Sequence, residues 1–225
     1  MAEVKIQVAG EEIVFYPGRA AYWPRKKWLI CADLHWGKAE TFQHWGLPVP
    51  SAVLESDLDR LENIYRACGA EEIIVIGDLV HARVGLSEGV RDRVGDFFQR
   101  LGAPMTLIRG NHDRALREIP AGWRLRVVEG FLDEGPFRFR HDDGPADGQY
   151  QWLGHLHPLW VTKGAGDKLR LPCYWVRPGA MTLPAFSAFT AGQVVMATPK
   201  DRVFVLTEED VLEVPVKKSG AGARR

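Results

Sequence analysis

The sequence predicts an α/β fold in a single domain, two stacked sheets with flanking helices. Three observations predict it. The first half alternates apolar runs of strand length with amphipathic runs of helix length. The second half is a series of short strands separated by turn residues. Six of the seven histidines fall at or just past the end of an apolar run, where an open sheet exposes its strand ends. A chain of 225 residues is long enough for one well-buried domain and short for two.

The elements follow in order. Residues 4–8 and 12–16 alternate apolar and polar around Ala9-Gly10, which predicts a hairpin. Residues 28–32 form a short apolar strand. Residues 51–69 carry Leu54, Leu58, Leu61, Tyr65 and Cys68 at helical spacing, with Ser51 as N-cap and Gly69 as stop. Residues 73–76 are a buried strand. Residues 87–101 place Val90, Val94, Phe97 and Leu101 on one helical face, and 105–108 are the next strand. That order predicts parallel crossovers. After Trp123, strands are expected at 125–128, 137–140, 150–153, 174–176, 194–196, 202–206 and 211–214, in a mostly antiparallel sheet. There is no internal repeat. The domain is expected to span 1–216, and the Lys-, Arg- and Gly-rich 217–225 to be a frayed tail.

Composition narrows the function. Lys plus Arg and Asp plus Glu both number 29, so a net-basic nucleic-acid footprint is missing. A polyanionic substrate would need a local field, which bound cations supply. Cys31, Cys68 and Cys173 are odd in number and scattered, against a disulfide framework or a thiolate zinc site and for reduced thiols in the cytoplasm. The first ten residues have no signal-peptide pattern, and no apolar run is long enough to cross a bilayer, so no membrane partner is expected.

The histidines carry the chemistry. Asp33-Leu-His35, Gly77-Asp78-Leu-Val-His81, Gly110-Asn111-His112-Asp113, His141 and Gly154-His155-Leu-His157 each follow an apolar run. Together they offer oxygen and nitrogen donors and no sulfur, a set that suits hard-to-borderline divalent metals. Asp33 and His35, two apart, would share one face of an extended strand with Leu34 turned to the core, and His155 and His157 would repeat this. The glycines at 77, 110 and 154 each precede a candidate ligand and permit a tight turn there. Each short motif alone is weak; five in order at strand ends are not.

This series resembles that of the calcineurin-like metallophosphoesterases over residues 28 to 160. The resemblance implies a four-layer α/β/β/α sandwich. It implies one metal on Asp33, His35, His157 and a shared Asp78. A second would sit on Asp78, Asn111, His141 and His155, with His112 as acid or charge stabiliser rather than ligand. Two departures stand out. Asp142-Asp143-Gly144 follows His141, where many phosphoesterases place Gly beside this histidine. His81 stands where many relatives carry Asp or Asn, which places it behind the ligands. A narrower resemblance, in Arg19-Ala-Ala-Tyr-Trp-Pro24, residues 33–42, 46–50 and 183–190, is to the bacterial ligase-associated DNA damage response endonucleases. It implies a manganese-dependent nuclease or phosphodiesterase acting on single-stranded or duplex DNA with a ligase and a helicase. The same ligands suit Zn²⁺ or Fe²⁺.

The chemistry would be hydrolysis. Two ions about 3.5–4 Å apart would share Asp78 and a water-derived hydroxide that attacks phosphorus in line. His112 would stabilise the transition state or protonate the leaving alkoxide. Asp113 would orient His112 or serve as an exposed N-cap. Arg83 and Arg109 flank the motifs as phosphate contacts or, more simply, as surface ion pairs. Lys38 and residues 36–50 would line the cleft. Trp36, His44 and Trp45 would stack on bases or pack in the core. A phosphomonoesterase or nucleotide hydrolase of the same superfamily, and a non-catalytic scaffold for repair proteins, are the competing functions; the full ligand set argues against the scaffold.

Overall fold

The computed structural model describes residues 3–50, 52–163 and 168–216. The expected N-cap Ser51 and the tail 217–225 lie outside the described residues. The chain builds two stacked mixed sheets with helices against the first, the predicted α/β class.

Strands β1 (Val4–Val8), β2 (Glu11–Tyr16), β3 (Ala20–Trp23) and β4 (Trp28–Ala32) form an antiparallel meander. The first hairpin closes through Ala9 and Gly10, both at positive φ (49° and 82°), the backbone that a two-residue turn needs to match strand twist. From β4 the sheet runs parallel through β5 (Glu72–Ile76), β6 (Met105–Ile108) and β7 (Leu125–Val128). Two helices make the crossovers, α2 (Val53–Cys68) and α3 (Glu88–Leu101); a short α1 (Lys38–His44) precedes them. Both long helices end on a left-handed glycine, Gly69 and Gly102. Strand β7 corrects the sequence expectation. It belongs to the first sheet, parallel to β6, although no α-helix connects them. Residues 109–124 are long enough for a parallel return without one.

Strict alternation sends side chains of the parallel strands to two cores. Leu29, Cys31, Ile73, Val75, Met105 and Leu107 face α2 and α3. Ile30, Ala32, Ile74, Ile76 and Ile108 face the second sheet. Burial on both faces explains why these strands read as unbroken apolar runs.

The second sheet holds β8 (Phe131–Glu134), β9 (Phe137–Arg140), β10 (Tyr150–Leu153), β11 (Pro158–Lys163), β12 (Lys168–Val176), β13 (Ala180–Thr182), β14 (Gln193–Val194), β15 (Arg202–Leu206) and β16 (Val211–Val214). It is mostly antiparallel, as expected, with β10 parallel to both β9 and β13 and β14 parallel to β11. Phe137, Phe139, Trp152, Tyr174 and Phe204 fill the space between the sheets. Burying each is worth about 1.5–3 kcal/mol, so this aromatic layer holds the sheets in register. Tyr174 fixes the match: its ring stacks on Phe15 at 4.0 Å, and its hydroxyl donates to the Tyr16 and Ala20 carbonyls at 2.8 Å. Among the described residues no helix covers the outer face of the second sheet. A smaller cluster of Cys173, Val195, Val203 and Val205 closes it.

Candidate metal centre

The carboxyl ends of β4, β5 and β6 lie side by side in one sheet, and those of β9 and β10 lie side by side in the other. The two edges meet. Phe186 and Ser187 donate to the Ala32 and Asp33 carbonyls at 2.7 and 3.3 Å, and Gly154 packs over the Ile76 carbonyl. All five histidine-bearing segments therefore reach one seam.

The ligands reach the seam by a route the sequence did not show. Asp33 and His35 are not on a strand, because β4 ends at Ala32. Both adopt left-handed backbone (φ 56° and 48°), as do Asp78 (48°), His155 (66°) and His157 (49°). Positive φ is costly for side chains of this size, and clustering of such residues marks a functional site. The turns are held by bonds past the strand ends: Asp33 N donates to Gly77 O, His35 N to Asp78 O and Trp36 N to Leu79 O, at 2.8–3.1 Å. Leu34 faces the core as expected. Of the three glycines, Gly77 is left-handed (φ 71°), and a Cβ there would fall 2.0 Å from the His141 ring. At Gly110 and Gly154 the requirement is close approach, to Asp78 and to Ile76 O.

Three groups of donors have their ligand atoms within 4.8 Å of one another. Two include a carboxylate, Asp33 with His35 and His157 and Asp78 with His141 and His155; the third, His35, His81 and His112, has none. In the first, His35 Nε2 is 3.4 Å from His157 Nε2, and Asp33 Oδ1 is 3.5 Å from the latter. In the second, His141 Nε2 lies 3.3 Å from Asp78 Oδ2, 3.2 Å from His155 Nδ1 and 3.1 Å from Asn111 Oδ1. Donors bound at about 2.1 Å to one ion stand roughly 3.0–3.4 Å apart, so both sets fit a divalent metal. Asp78 Oδ2 faces both, standing 4.0 Å from His35 Nε2, while Oδ1 accepts the His112 N–H at 2.9 Å. That division of labour suits a bridging carboxylate.

Backbone carbonyls orient the rings. His157 Nδ1 donates to Ala191 O at 2.8 Å and His141 Nδ1 to Ile76 O at 3.3 Å, which leaves each Nε2 lone pair for a metal. Burial pushes His35 down to about 2, so it stays a neutral ligand. Burial alone would raise Asp78 and lower His141. Their mutual hydrogen bond reverses both, taking Asp78 down to about 2 and His141 up to about 9. Asp33 is pushed up by burial, against the pull of His157 and His141. Two buried carboxylates with no Lys or Arg partner among the described residues call for positive charge.

The remaining candidates divide. His112 Nδ1 donates to the His81 carbonyl at 2.7 Å, and its ring stands beside those of His35 and His81 at 5.1 and 5.0 Å. His81 lies behind the ligands, its Nδ1 3.4 Å from His35 Nδ1, and burial lowers it to about 4. Asp113 corrects both roles expected of it. It is fully buried, and its oxygens accept Val80 N–H at 3.1 Å and Gly110 N–H at 2.8 Å. It ties two site loops together; the His81 carbonyl, not Asp113, orients His112. Lys38 reaches Thr190 Oγ1 at 3.4 Å, and its charge is felt at His35, His81 and His157. Arg109 pairs with Glu129 at 2.7 Å, the surface role expected. Arg83 is exposed and forms no ion pair among the described residues. Trp36 is core, 1% exposed and packed edge-on to Phe97, Phe98 and Trp123, so it stacks on no base. Trp45 is 63% exposed. Sequence reasoning missed the carbonyls of Ile76, His81 and Ala191 and the left-handed backbone, none of which has a side-chain signature.

Residues 26–174 match the family model described as calcineurin-like phosphoesterase. The crystal structure of Pseudomonas putida nuclease MPE superposes with a TM-score of 0.81 at 30% sequence identity, covering 93% of this chain and 100% of that one. A comparison with curated proteins found no match.

Proposed function

The chain belongs to the calcineurin-like phosphoesterase family, and on that premise we propose that it is a dinuclear metal-dependent phosphodiesterase that cleaves DNA. One observation carries the dinuclear reading: Asp78 Oδ2 faces both donor sets at once. Asp33, His35 and His157 would hold one ion; Asn111, His141 and His155 the other; Asp78 both. Two divalent ions, manganese by resemblance, supply Lewis acidity at the phosphoryl oxygens and lower the pKa of a water nucleophile. The residues do the rest. With Asp33 and Asp78 as the anionic ligands and Lys38 adjacent, the loaded site stays cationic and draws a phosphodiester. His112, its ring fixed by the His81 carbonyl, is placed to give a proton from Nε2 to the leaving alkoxide. The nuclease neighbour supports a nucleic acid as substrate, and the narrower motif resemblance favours DNA. Work alongside a ligase and a helicase in repair follows from the narrower motif resemblance, and a cytoplasmic setting from the scattered, unpaired cysteines.

The test is turnover of bis-p-nitrophenyl phosphate with manganese by wild type, Asn111→Ala and His112→Ala. Both variants are expected to lose roughly 10²-fold or more in kcat. Equal turnover by the three proteins would defeat the assignment. A panel of single-stranded DNA, duplex DNA, cyclic nucleotides and phosphoproteins separates the nuclease from the monoesterase reading.

A further inference from the structure

Away from the metal centre, Arg60, Arg66, Arg93, Arg109, Arg138 and Arg202 are ion-paired, while Arg114, Arg126 and Arg170 have no such partner among the described residues. One groove of about 480 Å³ gathers three more arginines of the second kind. Arg83, Arg91 and Arg117 line it with one carboxylate, Glu118, and none of the three guanidiniums has an ion pair or hydrogen bond among the described residues. Like charges gathered without partners destabilise a fold slightly. A chain with 29 acidic residues has carboxylates enough to avoid it. A polyanion would offset the charge gathered there.

The groove is joined to the metal centre by short chain. Arg83 is two residues beyond His81, at most about 7 Å of backbone. The opposite wall, residues 115–121, continues from the single 3₁₀ turn His112–Ala115, which rises about 2 Å per residue. The 2.7 Å bond from His112 to the His81 carbonyl joins the two walls at their origin. Both walls of the groove are therefore within a few residues of chain of the His81–His112 contact.

We propose that this groove carries the phosphodiester backbone of a DNA strand away from the cleavage point, with Arg83, Arg91 and Arg117 contacting its phosphates. The inference rests on the phosphodiesterase reading and adds where the strand runs. Such contacts position a strand without reading its sequence. They also explain how a protein of zero net charge holds a polyanion: the positive field is local.

The test is fluorescence anisotropy of a labelled, phosphorothioate-linked single-stranded oligodeoxynucleotide, which keeps the backbone charge and resists hydrolysis. Manganese-loaded wild type is compared with Arg91→Ala/Arg117→Ala and Arg91→Lys/Arg117→Lys. Each lost contact removes about 0.7 from the slope of log K against log salt, so the alanine pair lowers it by about 1.4 and weakens Kd roughly 25-fold at 0.1 M salt. The lysine pair retains the slope, which separates charge from fold. Equal slope and Kd for the alanine pair, or no binding by wild type, overturns the proposal. Hydrolysis of bis-p-nitrophenyl phosphate by the same wild-type preparation reports the catalytic reading separately. Turnover with arginine-independent DNA binding defeats the groove alone. Arginine-dependent binding without turnover supports the groove and defeats the catalytic reading.

Discussion

In the Asp33–His35–His157 set the most open side chain is His157, 16% exposed, and its ring is fixed by the Ala191 carbonyl. In the Asp78–His141–His155 set, His155 is 52% exposed, and among the described residues its ring meets His141 and Asp142 with no backbone carbonyl to fix it. Asn111, the extra donor of that set, is exposed as well. The residue types are nearly the same; what differs is how firmly the surroundings hold them. An enzyme that must keep an ion and also admit a phosphate to it is served by one closed position and one open one.

Four expectations test this contrast, from the largest effect down. Asp78→Ala removes the side chain proposed to serve both sets. Metal content is expected to fall toward zero and turnover by roughly 10³-fold, beyond the 10–100-fold of losing an outer partner. Metal analysis showing one ion still bound would break the bridging role. Next, His157→Ala and His155→Ala should differ. Loss of the tethered ligand is expected to remove the slowly released ion, whereas His155→Ala keeps that ion and loses the other. Equal release rates for the ion left in each variant would erase the contrast. Third, a chelator should strip the wild-type protein in two phases, the open position first, followed by release of manganese to an indicator dye; one phase would mean equal access. Last, Asp113→Asn replaces an acceptor of two backbone N–H groups with an amide that has one acceptor oxygen. It is expected to cost about 1–3 kcal/mol in thermal unfolding and to loosen both positions alike, because it ties the Val80 and Gly110 loops.

The comparison also shows what the sequence could reveal. The ligand-bearing segments were legible because each follows a strand buried on both faces, as Ile73–Ile76 before Gly77-Asp78 shows. Helices α2 and α3 were legible from period and glycine stops. Strand β3, α1, β8, β11 and β13 were not read as elements: they are short, and neighbouring strands or loops rather than a repeating pattern define them. Asp113 was misread because an Asp after Asn-His suits an exposed cap equally well, and only the fold shows it buried beneath two loops. The arginine groove was out of reach, since Arg83, Arg91 and Arg117 lie on separate segments and pairing is a property of the surroundings.

Each of the two carboxylate-bearing donor sets draws on both sheets, Asp33 and His35 with His157, Asp78 with His141 and His155. In chain order the consequence is temporal. When residues 1–120 have emerged from the ribosome, Asp33, His35, Asp78, Asn111 and His112 are all present, yet neither set is complete. The open position is completed at His155 and the closed one two residues later. The carbonyl that steadies His157 belongs to Ala191, later still. The nascent chain thus cannot complete either of these two donor sets from its first sheet alone: both wait for residues 155–157, and the tether of the second waits for residue 191.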